Sequence, residues 1–560
     1  MEELGNADAR IAALEAALAA ERARVAELTK ERDNLRASHE RLRLELELLR
    51  RRIFVATAER IDTTQLEMEF AATLAALDRL GGELPAAAQA GGPQGNRKHK
   101  SVGRRDLRTL ALEEERVELV DEIFETLVAE GKAERIGFEE SCKLAWKRGG
   151  ARRLVIARVK YRAVNSRGNS VIETAPLPPE LFPRSLAAPS MLAHVINEKF
   201  CDGLPLNREE DRLARDGVAL DRGTMSRWVE DAGATAGATV IEAAWTEALS
   251  TSFCIATDAT GVKVQPDRRA DHKRQPCRRG HFFVFIADRD HVFFEYTPKE
   301  TSDFVSEMFR GYSGYIQADA KNVYDVLFKE PDNPLDEDAE VRHEIACWSH
   351  CRRHLWEATC TKSEVAREGL ARVGRIFALE EAWHSDPSDV VLRLRRQHLR
   401  PHMNAFFAWA EAEHERVRDQ RGPVRSALGY AVRQKDSLLR VLDDGRLVLE
   451  NNRSERELRR IAVGRKGWLF LGSDEHGTSA GHLFSLIASA RLHRLDPEGY
   501  LRDLFRVLAH WPRDRYLELA PKYWARTRAR LDPRELAAEI GPLTVPPPLP
   551  VPSDDQPVPD

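Results

Sequence analysis

Twice in this chain an apolar run with strand character ends on an aspartate, and that pairing constrains the fold more than any other feature. Phe253 to Thr257 runs into Asp258, and Tyr315-Ile316-Gln317-Ala318 runs into Asp319. Between them, Gly280–Ala287 and His291–Tyr296 read as a hairpin across Asp288-Arg289-Asp290, and a helix is expected near Ser302–Phe309. Two strands that each finish on an aspartate can bring both carboxylates to one sheet edge. Each aspartate alone says little, because strand-end Asp often only caps or turns.

A third carboxylate comes from the stretch Glu450 to Ser473. Asn451 or Asn452 can cap a helix whose inner face carries Leu458 and Ile461, which places Glu455 in the first turns among Arg456, Arg459 and Arg460. Spacing alone favours a solvated helix laced with i,i+3 and i,i+4 ion pairs. Together with Asp258 and Asp319, however, Glu455 makes a three-carboxylate set suited to two hard cations. Such a pair of cations activates water and stabilises the leaving oxygen in phosphodiester cleavage. Arg456, Arg459, Arg465 and Lys466 would then face DNA phosphate.

Composition leaves that chemistry open. At 560 residues the chain has room for about three or four domains. A formal net charge of −4 argues against a uniformly basic nucleic-acid coat but allows local basic patches. Seven cysteines, none in a C-x-x-C pair, fit a reducing compartment rather than a disulfide scaffold. There is no apolar run of about 18 residues, and Met1-Glu2-Glu3 is a poor signal-peptide start. The expectation is a soluble, cytoplasmic protein with no membrane contact.

The remaining segments suggest a multidomain, α-rich architecture. Residues 1–80 read as a coiled coil and a following helix: from Leu4 to Ile53, Ile11, Leu18, Val25, Leu46 and Ile53 fall on one heptad seam and Leu14, Leu28, Leu35, Leu42 and Leu49 on the other. Arg32, His39 and Glu21 interrupt these seams. A coiled coil and self-association follow. Residues 81–106 read as a basic flexible linker. Residues 107–185 read as a small mixed module, with a helix over Glu113–Glu130 and a strand over Leu154–Tyr161. Residues 186–245 suit a helix-turn-helix: helices over Ser190–Phe200 and Arg208–Arg215, a turn at Asp216-Gly217-Val218, and a third helix capped by Asp221 and running through Trp228. The groove-facing positions would be Arg222, Thr224, Ser226 and Arg227, although three-helix packing without DNA gives the same pattern. The catalytic core would occupy 246–355 and 448–515, interrupted by a helical insertion at 356–447. C-terminal helices are expected over 516–543 and a disordered, Pro-rich tail over 544–560. Cys347 with Cys351, and His350 with His354, have the i,i+4 spacing of a zinc-like set on a helix, but a packed helix with one basic face explains them more simply.

Several short motifs, in order, carry a family resemblance. They are Arg52-Ile53-Phe54 followed by Glu59-Arg60; Lys199-Phe200-x-x-x-Leu204-Pro205-Leu206-x-Arg208; and Gln317-Ala318-Asp319. Cys347-Trp348-Ser349-His350-x-Arg352-Arg353 and Asp443-Asp444-Gly445-Arg446 come next. Asn451-Asn452-x-x-Glu455-Arg456-x-x-Arg459, Gly464-Arg465-Lys466-x-Trp468-Leu469-Phe470, and Leu495-Asp496-Pro497 with Tyr500-Leu501 complete the set. On these the chain resembles a bacterial DDE transposase of the insertion sequence 66 family, the large TnpC-type subunit, over nearly its whole length.

The resemblance implies an α/β RNase H-like core in which Asp258, Asp319 and Glu455 bind two Mg²⁺ ions, with Mn²⁺ able to substitute. It implies cleavage of transposon ends and strand transfer into target DNA, with double-stranded DNA and small accessory proteins of the same element as partners. The intervals suit that type: 61 residues from Asp258 to Asp319 (319 − 258) and 136 on to Glu455 (455 − 319). Cys347 and His350 match a C-x-x-H motif of uncertain role. The sequence also departs from the family. Ala163 and Ser166 stand where a zinc module would carry cysteines, so no zinc is expected there. Glu450 replaces an aspartate, Asp258-Ala259-Thr260 stands where Asp-Glu-Thr is usual, Lys321 replaces a tyrosine, and Gly467 an asparagine. Two other readings remain: a domesticated or inactive DDE-type protein acting as a DNA-binding scaffold, and a coiled-coil interaction protein.

Overall fold

The structure is a computed structural model. It describes Arg24, Leu28 and residues 112–147, 149–164, 169–183, 185–266, 275–329, 341–361, 363–383 and 385–550. The chain divides into two units, Met1–Arg105 and Asp106–Asp560; the described residues beyond Leu28 all belong to the second. The predicted coiled coil of 1–80, apart from the helical Arg24 and Leu28, and the linker of 81–106 lie outside the described residues.

The first sheet of the second unit forms where a helix was expected. Glu113–Leu119 is strand β1, and only Glu122–Ala129 is helical, as α1. β1 runs parallel to the long strand β3, Gly150–Val164, which pairs antiparallel with β2, Ala133–Lys147, and with β4, Ser170–Thr174. The helix expectation over Glu113–Glu130 held for Glu122–Ala129 but failed over Glu113–Leu119, where the glutamates find cross-strand partners. Glu114 pairs with Arg153 and Glu115 with Arg152, each at 2.6 Å, while Leu119 is buried. Cross-strand ion pairs and one buried face outweigh local helix propensity. Ala163, the expected non-zinc position, lies in β3 opposite Ala133 and Val171; Ser166 is outside the described residues.

Three helices follow: α2 Pro189–Phe200, α3 Leu206–Arg215 and α4 Arg222–Ala236. Gly217, at φ 79°, makes the turn after α3; a residue with a side chain would be strained there. Asp221 caps α4 by accepting from Gly223 N at 2.8 Å. α4 runs well beyond the expected end at Trp228. A π-helical turn, Gly237–Ile241, joins it to α5, Glu242–Thr251.

The second sheet contains β5 Cys254–Val264, β6 Arg278–Ala287, β7 His291–Thr297, β8 Gly314–Ala318 and β9 Arg342–Ala346, with helix α6, Ser302–Met308, between β7 and β8. Its order is β7-β6-β5-β8-β9. β5, β6 and β7 pair antiparallel with one another, while β8 runs parallel to β5 and β9 parallel to β8. β9 was not anticipated.

After β9 comes a helical segment: α7 Trp348–Ala358, α8 Glu364–Glu381, α9 Ser388–Leu394, α10 Arg400–Arg416, α11 Pro423–Arg433 and α12 Lys435–Leu439. It has its own core, built on Trp348, Leu355, Phe406, Phe407 and Leu428, which reaches Ile345 and Ala346 of β9. Arg395, in a π turn between α9 and α10, is buried and pairs with Glu380. It also donates to the carbonyls of Val441 at 3.0 Å, Asp444 at 3.2 Å and Leu447 at 2.8 Å.

The chain then returns to the sheet with α13 Asn452–Trp468 and α14 Asp474–Leu492, followed by α15 Pro497–Val507, α16 Pro521–Arg528 and α17 Pro533–Ala537. α14 covers the open edge of β7. Ser485 Oγ accepts from Phe294 N at 2.7 Å and Ser489 Oγ from Val292 N at 2.9 Å, so the exposed ladder of an edge strand is satisfied by side chains. On its other side α14 meets α4 almost backbone to backbone: a Cβ on Gly233 would lie 2.3 Å from Ser479 O. Phe200 of α2 packs edge-on against Phe484 at 4.8 Å. The three helices and the five-stranded sheet therefore share one hydrophobic core.

Residues 544–549, placed in a disordered tail by composition, are pinned. Thr544 N donates to Glu535 at 2.7 Å, Arg515 to Pro546 O at 2.9 Å, and Leu549 N to Glu518 at 2.9 Å. Residues 551–560 lie outside the described residues.

One buried charge gives a pH-dependent prediction. Burial raises the Glu247 carboxyl, but His291, Tyr523 and Lys522 outweigh it by hydrogen bonding and hold its pKa at about 2, against an ordinary 4.5. A depressed carboxylate contributes stability that is complete above about pH 4.5 and is lost as pH falls through about 2. The contribution at neutral pH is on the order of 3 kcal/mol. Glu247→Gln should therefore lower the urea midpoint strongly at pH 7, and the gap from the unaltered chain should shrink progressively below pH 4.5. An equal gap at pH 7 and pH 3 would refute the assignment.

Candidate active site

The two aspartates meet because of how β5 and β8 pair. The parallel contact covers only Cys254–Ala256 against Tyr315–Gln317. β8 ends at Ala318, so Asp319 is the first residue past it. Asp258 is not at a strand end, contrary to expectation: β5 continues to Val264 because β6 pairs along it, with Asp258 opposite Val284. The parallel contact stops at Ala256 and Gln317, two residues before each aspartate, so both carboxylates emerge just past its end. This is the carboxyl end of adjacent parallel strands, where open α/β sheets place their ligand sites.

Both side chains are mostly buried, 15% exposed for Asp258 and 13% for Asp319. They converge on one cation, the Lys321 ammonium, which is 3.1 Å from Asp319 Oδ2 and 3.8 Å from Asp258 Oδ1. Glu300 approaches the same ammonium, with Oε1 at 3.6 Å. Burial first, and the Asp319 charge second, push Asp258 up to about 6, against the pull of Lys321. Lys321 is itself held above its ordinary range: Asp319 and Asp258 outweigh the cost of burying its charge. Asp319 Oδ1 and Glu300 Oε1 are buried acceptors with no hydrogen-bond donor. Such atoms are unusual unless something further binds them.

Glu455 sits in the first turn of α13, half exposed, with Oε1 3.9 Å from His350 Nε2. The neighbouring Cys347 side chain first, then the Asp319 and Glu455 carboxylates, keep the His350 imidazole more basic than usual against the cost of its burial. His350 thus stands between the aspartate pair and Glu455. Among the described residues no three His, Cys, Asp or Glu side chains converge at metal-ligand distance. The aspartates close on Lys321 and Glu455 faces His350. Nor do Cys347, His350, Cys351 and His354 form a zinc-like set. Cys347 precedes α7 and Cys351 is packed in the insertion core.

Asn451 carries a structural role that spacing did not disclose. It was expected as a possible helix cap, yet its amide donates to Thr257 O of β5 at 2.8 Å, beside Asp258. Its backbone N–H donates to Cys347 Sγ at 3.2 Å, and its Oδ1 accepts from Ser454 Oγ at 2.6 Å. One buried residue therefore ties the start of α13 to β5 and to the start of α7. Ser349 Oγ adds a bond to Glu450 at 2.9 Å, so Glu450 faces α7.

The expected phosphate contacts fall into two groups. Arg456, Arg459 and Lys466 are exposed on α13. Arg465 is half-buried and binds Thr260 Oγ1 at 3.3 Å and the Gly261 carbonyl, tying the end of α13 to β5. On α4, Arg222 and Arg227 are exposed and Thr224 half-buried, with Arg227 donating to Thr224 Oγ1 at 3.1 Å. Ser226 is turned inward to His476 of α14 at 3.1 Å. Arg453, which was not singled out, lines a cavity with Asp288, Arg289 and Arg456.

The family described as "Transposase IS66 family" matches residues 184–479, and the "IS66 C-terminal element" matches residues 485–521. The chain belongs to the IS66 transposase family. It is similar to the uncharacterized protein y4hP of Sinorhizobium fredii, 25% identical over 400 residues, covering 68% of this chain and 70% of that one. It is also similar to the uncharacterized protein y4qI of the same organism, 24% identical over 382 residues, covering 66% and 68%. No solved structure matches the chain. Among the described residues no helix is long and apolar enough to cross a membrane.

Proposed function

We propose that this chain is a DNA transposase that binds the inverted-repeat ends of an insertion sequence and carries out metal-dependent strand cleavage and strand transfer. The observation that carries the reading is the convergence of Asp258 and Asp319 on a single cation at the end of a parallel strand contact, with Glu455 across His350. A sheet of three antiparallel strands extended by two parallel ones agrees with the RNase H-like core that the family resemblance implies.

The donor set suits hard divalent ions. All three expected ligands are carboxylates, two are largely buried, and Asp319 Oδ1 is a buried acceptor without a donor. Asp258, Asp319 and Glu455 would hold Mg²⁺, or Mn²⁺ in its place, which would supply charge neutralisation and water activation for displacement at phosphorus. The chain's own residues supply the rest. Arg456, Arg459 and Lys466 on the exposed side of α13 attract the phosphate backbone toward the carboxylates. Arg465, Asn451 and the Cys347–His350 turn hold α13 against β5, so that Glu455 keeps its position when DNA binds. Arg222 and Arg227 on α4 face solvent, with Thr224 half-buried between them, in the place expected of a recognition helix, and Ser226 supports from behind. Association through the N-terminal heptads would bring two such units to the two ends of one element.

The test is direct. Purified full-length chain, incubated with a DNA fragment carrying the ends of its own element, should release 3′-hydroxyl ends in Mg²⁺ or Mn²⁺ and none in EDTA. Salt-sensitive binding with no cleavage in either metal would instead support a DNA-binding scaffold.

A further inference from the structure

Lys321 lies outside the set of residues assigned so far, and its placement is specific. The backbone turns directly after β8, with Lys321 N donating to Asp319 O at 2.8 Å and Tyr324 N to Lys321 O at 3.0 Å. That turn folds the lysine side chain back over the strand end, so its ammonium reaches the carboxylate of the residue two before it. At 3.1 Å from Asp319 and 3.8 Å from Asp258, the ammonium stands where a cation shared by both carboxylates would stand. Its third neighbour, Glu300 at 3.6 Å, lies three residues past the end of β7 and has no part in the expected triad. Glu300 has a second partner, His281 Nδ1 at 3.3 Å, which anchors it beside the pair.

We propose that the Lys321 ammonium is a built-in competitor for the cation seat between Asp258 and Asp319, and that Glu300 is the carboxylate it withdraws to when a divalent ion enters. The inference rests on the reading of that pair as a metal site. Two carboxylates this close and this buried repel each other strongly without a counter-charge. The ammonium cancels that repulsion in the metal-free chain and keeps both side chains aimed at one point. It also raises the concentration of metal needed for loading, because a divalent ion must displace it. Glu300 limits that cost: the ammonium can leave the aspartates without losing its own partner. The lysine side chain is 43% exposed, so its outward path is open.

The experiment measures Mn²⁺ binding to the full-length chain without DNA, by the electron paramagnetic resonance signal of free Mn²⁺. Lys321→Met should bind Mn²⁺ about tenfold or more tightly, because removing one cation a few ångströms from the ion lifts a repulsion of that order. Lys321→Arg keeps the competing charge and should bind no more tightly than the unaltered chain. Glu300→Gln should weaken binding when Lys321 is present and leave it unchanged in the Lys321→Met background. Asp258→Ala in the Lys321→Met background should abolish the gained affinity, which locates it at this pair. Thermal melting of each variant checks that the fold persists. Unchanged or weaker binding by a folded Lys321→Met overturns the competitor role while leaving the metal reading intact. Equal weakening by Glu300→Gln in both backgrounds overturns the withdrawal role and makes Glu300 a ligand. No Mn²⁺ binding by either the unaltered chain or Lys321→Met overturns both this inference and the metal reading.

Discussion

Asp319→Ala should lower cleavage of end DNA on the order of a thousand-fold, the loss typical of deleting one electrostatic stabiliser of a developing charge, while DNA affinity stays unchanged. The same holds for Asp258→Ala and Glu455→Ala. Single-turnover cleavage in Mg²⁺, followed on a denaturing gel beside anisotropy of a labelled end fragment, separates the two readouts. Full cleavage by all three variants would sink the triad. The argument for unchanged binding is spatial. The exposed cations on α13 and α4 form a surface distinct from the recessed aspartates, so a carboxylate can be lost without removing a phosphate contact. The Asp319 variant carries one side effect worth measuring: Lys321 loses its nearest partner, at 3.1 Å, and should settle on Glu300.

The second large effect is structural. Arg395→Met should destabilise the helical insertion by about 3–5 kcal/mol, the usual result of removing one member of a buried ion pair. Arg395 is 2% exposed, and its loss strands Glu380 together with the carbonyls of Val441, Asp444 and Leu447. Those carbonyls belong to the segment that leads into Asn451 and Glu455. Hydrogen exchange should therefore show early opening over residues 440–450, with β5 and β6 still protected. A variant with unchanged urea midpoint and unchanged exchange there would show that the clamp is dispensable.

How much of this was legible in the sequence varies by element, for physical reasons. The hairpin at Asp288-Arg289-Asp290 was readable because two apolar runs, buried almost throughout, flank a short polar turn, and helices α2 and α3 because local turn and capping residues bound them. β1 was not, because its strand character depends on Arg152 and Arg153, about forty residues away. The continuation of β5 past Asp258 likewise depends on β6, and β9 depends on β8. In each case partner strands rather than propensity set the limits. At the site, apolar runs ending in acid pointed to Asp258 and Asp319. Asn451 does stand at the cap position of α13, but nothing in its neighbourhood shows that its amide reaches across to Thr257. Ser226 looked like a groove-facing residue on helical spacing alone; His476, 250 positions later, is what turns it inward. Glu300 gave no signal at all.

The close crossing of α4 over α14 has a mechanical consequence. At Gly233 there is no room for a side chain between the two backbones, and α14 is in turn bolted to β7 by Ser485 and Ser489. On the proposed reading, in which α4 reads DNA and the sheet carries the cutting site, the two would be one rigid piece, with no hinge between address and blade. The offset from the recognised bases to the severed bond would be set by the protein like a ruler. Lengthening the spacer by half a helical turn should abolish cutting, whereas an enzyme with a jointed arm would tolerate it.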